Sequence, residues 1–336
     1  MTTLFVDRKG IAIRLDGRTL VFEEGGQRVG CVPIGPLERV VLRGDVTLQA
    51  SLLGKLGEAG VGLLVLSGRR GEPSLALPRP HHDARRRVAQ WRASDDAARR
   101  VALARGWVAG KLAAQQAWLA ERAALDAMNR YELTTAVRRL DALRDDVAAA
   151  DSCGRLRGLE GAAAQAYFGG LRTQFAPSLR FSSRNRRPPR DPVNAVLSLG
   201  YTLLHAEAVL QAHAAGLDPF VGFLHETDFA RESLACDLVE PHRTGVDRLA
   251  VRLFRERELE VDHFSTTQGA CLLGKAGRER FYRAWEPAAE GLRRALRTSC
   301  LALVRELTGD EAANDTAAAT EDAAAIEPCQ ADEDAP

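Results

Sequence analysis

Pro73-Ser74-Leu75-Ala76-Leu77-Pro78-Arg79-Pro80-His81-His82-Asp83 divides the chain into two parts of different pattern. Pro73, Pro78 and Pro80 each lack a backbone donor and are expected to interrupt any strand ladder, and His81-His82-Asp83 reads as a helix start. Upstream, residues 4 to about 76 read as strands. Ile11 to Leu15 and Thr19 to Phe22 flank the turn signal Asp16-Gly17-Arg18, and Gly25-Gly26 suits a second hairpin. Arg39-Val40-Val41-Leu42 and Gly62-Leu63-Leu64-Val65-Leu66 are short apolar runs suited to strands, with a helical pattern from Leu48 to Leu56 between them. Downstream, strand signals almost vanish. Val101, Ala104, Val108 and Leu112 follow helical spacing, as do Val193, Val196, Leu197, Gly200 and Leu204. The pattern predicts an α+β chain: a small β-rich domain over 1–76, a linker over 77–84, an all-α domain over 85–309, and a disordered acidic tail over 310–336.

Composition narrows the class. Across 336 residues, 46% are hydrophobic and 27% charged, which excludes wholly disordered, collagen-like and disulfide-framework chains. No stretch approaches the ~20 uninterrupted apolar residues of a membrane span. Met1-Thr2-Thr3-Leu4-Phe5 lacks the layout of a signal peptide, so the expectation is a soluble cytoplasmic protein without a membrane partner. Cys31, Cys153, Cys236, Cys271, Cys300 and Cys329 stand singly and read as structural thiols. The net charge of +1 hides an asymmetry: nine of the 45 acids, and no base, fall in residues 310–336, leaving a body at +10 that suits a polyanion. Only four of the 46 bases are lysines, a bias that makes any single arginine weak evidence for a phosphate ligand.

Two helix starts carry further information. Asp191-Pro192 combines a good cap with proline at the first helical position and predicts a helix to about residue 214. The preceding Ser182-Ser183-Arg184-Asn185-Arg186-Arg187-Pro188-Pro189-Arg190 reads as an exposed loop that either grips phosphates or is simply solvated. Another helix is expected near Ser233, ended by Pro241.

Three places could carry chemistry. Glu160 stands between glycines in Gly158-Leu159-Glu160-Gly161, where small residues allow either a tightly packed helix or the approach of a ligand. His225 ends the apolar run Val221-Gly222-Phe223-Leu224, as a core histidine or a ligand for a divalent cation. Asp237 and Glu240, three apart, repel each other on one helix face unless the face is solvated or a cation neutralises it. Glu160, His225 and Glu240 together would offer two oxygens and one nitrogen to Mg²⁺ or Mn²⁺.

At these same residues the sequence resembles the CRISPR-associated endonuclease that acts as the integrase of spacer acquisition, the larger of the two universal adaptation proteins. The resemblance is carried in order by Gly158-Leu159-Glu160-Gly161, Arg186-Arg187-Pro188-Pro189, Asp191-Pro192-Val193-Asn194-Ala195, Gly222-Phe223-Leu224-His225, Ser233 to Glu240, and Val246-Asp247-Arg248. It implies a β-sandwich-like amino-terminal domain that forms a homodimer, and a helical catalytic domain with a metal held by Glu160, His225 and Glu240, with Asp237 a further candidate. It implies a small ferredoxin-like partner of the same module. The implied substrates are short duplex DNA with 3′-hydroxyl ends and the CRISPR repeat array, joined by transesterification. Arg184, Arg186, Arg187, Arg190 and Arg248 are candidate DNA ligands, with Lys275 and Arg278 assigned by charge and setting. The Arg-dense stretch 85–105 is read as an ordinary helix face. The alternatives are a structure-selective nuclease on branched DNA and a non-catalytic DNA-binding scaffold.

Overall fold

The computed structural model describes residues 2–67, 72–185, 188–225 and 231–309; Arg186, Arg187 and the tail 310–336 lie outside them. The first part runs β1 (Thr2–Asp7), β2 (Ile11–Asp16), β3 (Thr19–Glu24), β4 (Gln27–Pro33), β5 (Leu37–Arg43), β6 (Val46–Leu48), α1 (Ala50–Glu58), β7 (Gly62–Ser67) and β8 (Glu72–Ala76). The strands form two four-stranded sheets, ordered β1-β5-β7-β8 and β4-β3-β2-β6. Gly25 and Gly26 both adopt positive φ, the backbone a two-residue hairpin turn requires, and so join β3 to β4 as the sequence suggests.

The run Val40-Val41-Leu42 is buried at every position because β5 pairs in parallel with β1 and β7 and is covered on both faces. Val40 and Leu42 pack into a small core with Ile11, Ile13, Leu52 and Leu56, between the sheets and α1. Val41 and Leu64, on the opposite face, belong to the core of the helical part. One sheet therefore serves two cores. Pro73, expected to break any ladder, lies inside β8, and β8 is an edge strand, where a missing donor is tolerated.

The second part runs α2 (Ala84–Asp95), α3 (Ala97–Leu125), α4 (Arg130–Ala142), α5 (Arg144–Ala148), α6 (Cys153–Leu171), α7 (Pro192–Ala214), α8 (Ser233–Val239), α9 (Arg243–Arg255), β9 (Phe264–Thr267), β10 (Ala270–Leu273) and α10 (Lys275–Thr308). The Asp83 and Asp96 carboxylates cap α2 and α3 by accepting first-turn N–H bonds at 2.9 Å. Asp191 caps α7 in the same way at 2.8 Å, with Pro192 in the first turn, as read from the sequence. By length and composition α7 could cross a membrane, yet most of it is buried in this structure, packed on α8, α9 and α10.

The hairpin β9–β10 departs from an otherwise helical part. It turns through Gln268 and Gly269, both at positive φ, and is tied to the arginine-bearing loop by a Cys271 N–H bond to the Pro189 carbonyl at 2.8 Å. Within the Arg-dense stretch, the Arg86, Arg99 and Arg105 guanidiniums donate to the carbonyls of Ala215, Glu306 and Ala150. Ala215 and Glu306 mark the carboxy-terminal ends of α7 and α10, where the helix leaves acceptors unpaired. These arginines hold the bundle together.

The two parts meet through buried charge. Glu207 of α7 accepts from Arg293 of α10 at 3.0 Å and lies 3.1 Å from Arg39 of β5. Arg293 also donates to Glu286 at 2.9 and 3.0 Å and to the Thr3 hydroxyl of β1 at 2.9 Å.

Candidate active site

Glu160 sits in the middle of α6, which begins at Cys153 with Ser152 as its cap. A Cβ placed at Gly158 or Gly161 would meet nothing within 4 Å, so the glycines are not there for close packing. They leave open space beside the carboxylate instead, and Gly161 lines it.

His225 ends the segment 221–225, which is folded onto α8 by a carboxylate. Asp237 accepts the backbone N–H of Phe223 and Leu224 on one oxygen, at 2.7 and 3.1 Å. Its other oxygen takes the backbone N–H of His225 at 3.0 Å and the ring Nδ1 at 2.6 Å. The approach is possible because residue 222 is glycine: a Cβ there would fall 2.7 Å from the Ser233 carbonyl carbon. Cys153 and Arg157 of α6 reach the Phe223 and Leu224 carbonyls, so the histidine's loop is anchored to the helix that bears Glu160.

Asp237 has no exposed surface, and both its oxygens are spent on these four donors. Its place is beneath the histidine, and this corrects the expectation that it stands beside Glu240 as a further ligand. Burial raises the Asp237 pKa against the pull of His225 and the backbone donors. Burial also acts to lower the His225 pKa, but the bond to Asp237 together with the negative charge around the ring outweighs it, and the ring stands above its ordinary value. With Nδ1 committed, Nε2 is the ring nitrogen left to act.

Glu240 follows α8 directly and is almost wholly buried. One oxygen accepts from Arg243 Nε at 2.9 Å. The other lies 2.6 Å from the ammonium of Lys111, a residue of α3, as an ion contact without hydrogen-bond geometry. The same ammonium lies 2.5 Å from Glu160. Burial would raise the Glu240 pKa, but Arg243 and Lys111 override it and hold the carboxyl at about 2. Asp237 and Glu240 are thus neutralised separately, three residues apart in sequence but facing different partners.

Beside Lys111 and Glu160 lies a cavity of about 220 Å³, lined also by Arg157, Arg184, Tyr201 and Arg243. The Arg184 and Arg243 guanidiniums lie over the Tyr201 ring, 5.3 and 4.7 Å from its centroid. Tyr201 and Tyr167 both donate to the buried Asp247, whose pKa burial pushes up to about 6.

The remaining expected DNA ligands are placed unequally. Arg184 lines the cavity and also bonds Asn194 and Ser198. Arg190 and Lys275 are exposed. Arg248 lies over Trp118 at 4.2 Å and pairs with Glu121 at 2.8 Å. Arg278 departs from the expectation: its guanidinium grips Asp7 of β1 at 2.5 and 3.2 Å and the Leu273 carbonyl at 2.7 Å, which ties α10 to the sheet. Lys111 and Arg243 were not anticipated, and neither was the Tyr167–Asp247–Tyr201 cluster. The signal for Lys111 was present, since an interior lysine is conspicuous among only four lysines and 46 bases.

Among the described residues no three His, Cys, Asp or Glu side chains are gathered around one point for a metal ion. Glu160 and Glu240 are gathered around an ammonium instead. That arrangement still fits a cation, because a buried Glu240 oxygen accepts no hydrogen bond and both carboxylates already converge on one positive charge.

A CRISPR-associated endonuclease from Thermodesulfovibrio yellowstonii is 37% identical over 289 residues, covering 85% of this chain and 91% of the relative. The solved structure of a CAS1 protein from Thermotoga maritima matches with a TM-score of 0.83 at 23% identity, over 93% of this chain and 98% of that one. A casposase bound to integration product matches at 0.77 and 22% identity, over 93% and 94%. A chain of a Cas6-RT-Cas1–Cas2 complex matches at 0.78 and 24%, over 91% of this chain and 35% of that one. The class is that of the CRISPR-associated endonucleases. Within it the chain belongs to the Cas1 family, whose model, CRISPR associated protein Cas1, matches residues 4–287.

Proposed function

We propose that this protein joins the 3′-hydroxyl ends of short duplex DNA to the CRISPR repeat array by metal-dependent transesterification. The observation that carries this reading is the convergence of Glu160 and Glu240, from separate elements, on a single cation. Glu160, the Glu240 oxygen not taken by Arg243, and His225 Nε2 are the groups that would hold Mg²⁺ or Mn²⁺. When bound, such an ion lowers the pKa of an attacking hydroxyl and offsets charge growing on phosphoryl oxygens.

The chain's own residues position the rest. Asp237 fixes the tautomer and tilt of His225, and Arg243 fixes Glu240 so that one oxygen faces inward. Arg157 and Arg184 supply positive charge to the cavity, sized for a phosphate and its sugar and smaller than the ~300–1,000 Å³ clefts that take drug-sized ligands. Arg190, Arg248 and Lys275 extend that charge over the surface, with Arg186 and Arg187 assigned to the same role from sequence. The partners are a second copy of the chain and a small ferredoxin-like protein of the adaptation module. The likeness to a chain of a Cas1–Cas2 assembly and to a casposase on its product supports this reading.

The test is a strand-transfer assay with labelled duplex, supercoiled plasmid bearing the repeat, the small partner, and Mn²⁺ or Mg²⁺. Label is expected to join the plasmid only with metal and intact Glu160. Label that is merely shortened would replace integration by cleavage of branched DNA.

A further inference from the structure

We infer that Lys111 is a displaceable counterion: its ammonium holds the position between Glu160 and Glu240 until a divalent cation takes it, and then withdraws toward the adjoining cavity. The inference rests on the metal-dependent reading above. Three features carry it.

The first is charge compensation. Glu240 is 4% exposed, Lys111 6% and the Glu160 side chain 16%, and two carboxylates so poorly solvated cannot stand side by side without a positive charge. Lys111 meets both, at 2.5 and 2.6 Å, so the pair is neutralised before any metal arrives. The second is the chemistry of the residue. In a chain that uses arginine for nearly every base, this position carries a lysine. A guanidinium is a planar fork that locks onto carboxylates, whereas an ammonium is a compact point charge on a flexible four-carbon stem, able to leave one position for another. The third is room. Lys111 lines the 220 Å³ cavity, which Asp247 also lines, so the displaced ammonium has space to enter without unpacking α3. Its arrival there adds positive charge beside Arg157 and Arg184 only when the carboxylates are otherwise compensated.

The exchange predicts two signatures independent of strand transfer. In the native protein, labelling of Lys111 by an amine-reactive acetylating ester, read by mass spectrometry, rises several-fold on saturation with Mn²⁺. Lys9, Lys55 and Lys275, none of them buried, serve as internal controls and stay constant. In Lys111→Met, Mn²⁺ binds about tenfold more tightly by calorimetry because the competing charge is gone. The metal-free variant melts earlier, and Mn²⁺ raises its Tm by more than it raises the native one. Lys111→Arg keeps the charge, so its Mn²⁺ affinity stays at or below native.

If Mn²⁺ raises the native Tm but Lys111 labelling stays flat and Lys111→Met binds no more tightly, the exchange is wrong while the metal site stands. If Mn²⁺ fails to raise the Tm of the native protein, the metal reading itself falls, and the exchange with it.

Discussion

Two places in this molecule set two acids against two bases around a buried carboxylate, and they are built to opposite ends. At the junction of the sheet and the bundle, Arg39 and Arg293 hold Glu207 and Glu286, and the void beside Arg39 and Glu207 is about 10 Å³, no larger than the ~10–15 Å³ one water needs. At the candidate active site, Lys111 and Arg243 hold Glu160 and Glu240 beside a cavity of about 220 Å³. The first uses guanidinium forks alone and leaves no space to move. The second places a point charge where a substrate can enter. Equal inventories of charge thus serve cohesion in one place and exchange in the other, and the difference lies in the choice of base and the space around it.

The comparison fails if the two places respond alike. The largest expected effect is on chemistry. Glu160→Gln should cut strand transfer by about a thousandfold or more, the scale of several kcal/mol of lost charge stabilisation, with little change in Tm. An equal loss of fold would make Glu160 a structural residue. Next, Glu207→Ala should cost about 3–5 kcal/mol in urea unfolding, because it leaves two buried guanidiniums short of an acceptor, while the Tm increment from Mn²⁺ stays native. Loss of that increment would join the two places into one network.

Acid should separate them by sign. Glu240 is held at about 2, below its unfolded value of 4.5, so its contribution is present above about pH 4.5 and is lost as pH falls toward 2, amounting to about 3 kcal/mol. Glu207 is shifted upward, burial outweighing Arg39 and Arg293, so its contribution is greatest below the ordinary carboxylate range and declines as pH rises through its raised value. Stability–pH curves of Glu240→Gln and Glu207→Gln should therefore diverge from native in opposite directions. The smallest effects belong to the surface. Arg278→Ala should lose about 1 kcal/mol through its bond to Asp7 without altering DNA affinity. Lys275→Ala should leave stability intact and reduce the salt slope of DNA binding by about one unit.

The elements were largely legible in the residues, because caps, turns and apolar periods act locally. Asp191-Pro192 marked α7, the Gly25-Gly26 pair marked a hairpin, and the apolar run around Val41 marked a strand. The hairpin β9–β10 was missed, since strands of four residues carry too little alternation to stand out. Glu160, His225 and Glu240 could be named, but not their partners. Spacing places Asp237 and Glu240 near one another yet cannot say that Asp237 turns to the loop while Glu240 turns to Lys111, 129 residues earlier. Arg278 failed for the same reason: its partner Asp7 lies 271 residues away. Charge alone cannot tell an arginine that waits for a phosphate from one already satisfied.

The Thr3–Arg293 bond spans 290 residues and is flanked by Phe5 stacked on Tyr282 at 4.4 Å. Its consequence concerns the order of events during synthesis. β1 emerges before every other described element and α10 after them, so the sheet face that bears Phe5 must wait for nearly the whole chain to be made. Contacts of such separation form late and slowly, and until then Phe5 and the β1 edge offer a surface on which nascent chains can associate. Arrival of α10 closes the molecule, which makes the last helix the step that commits a growing polypeptide to its native form.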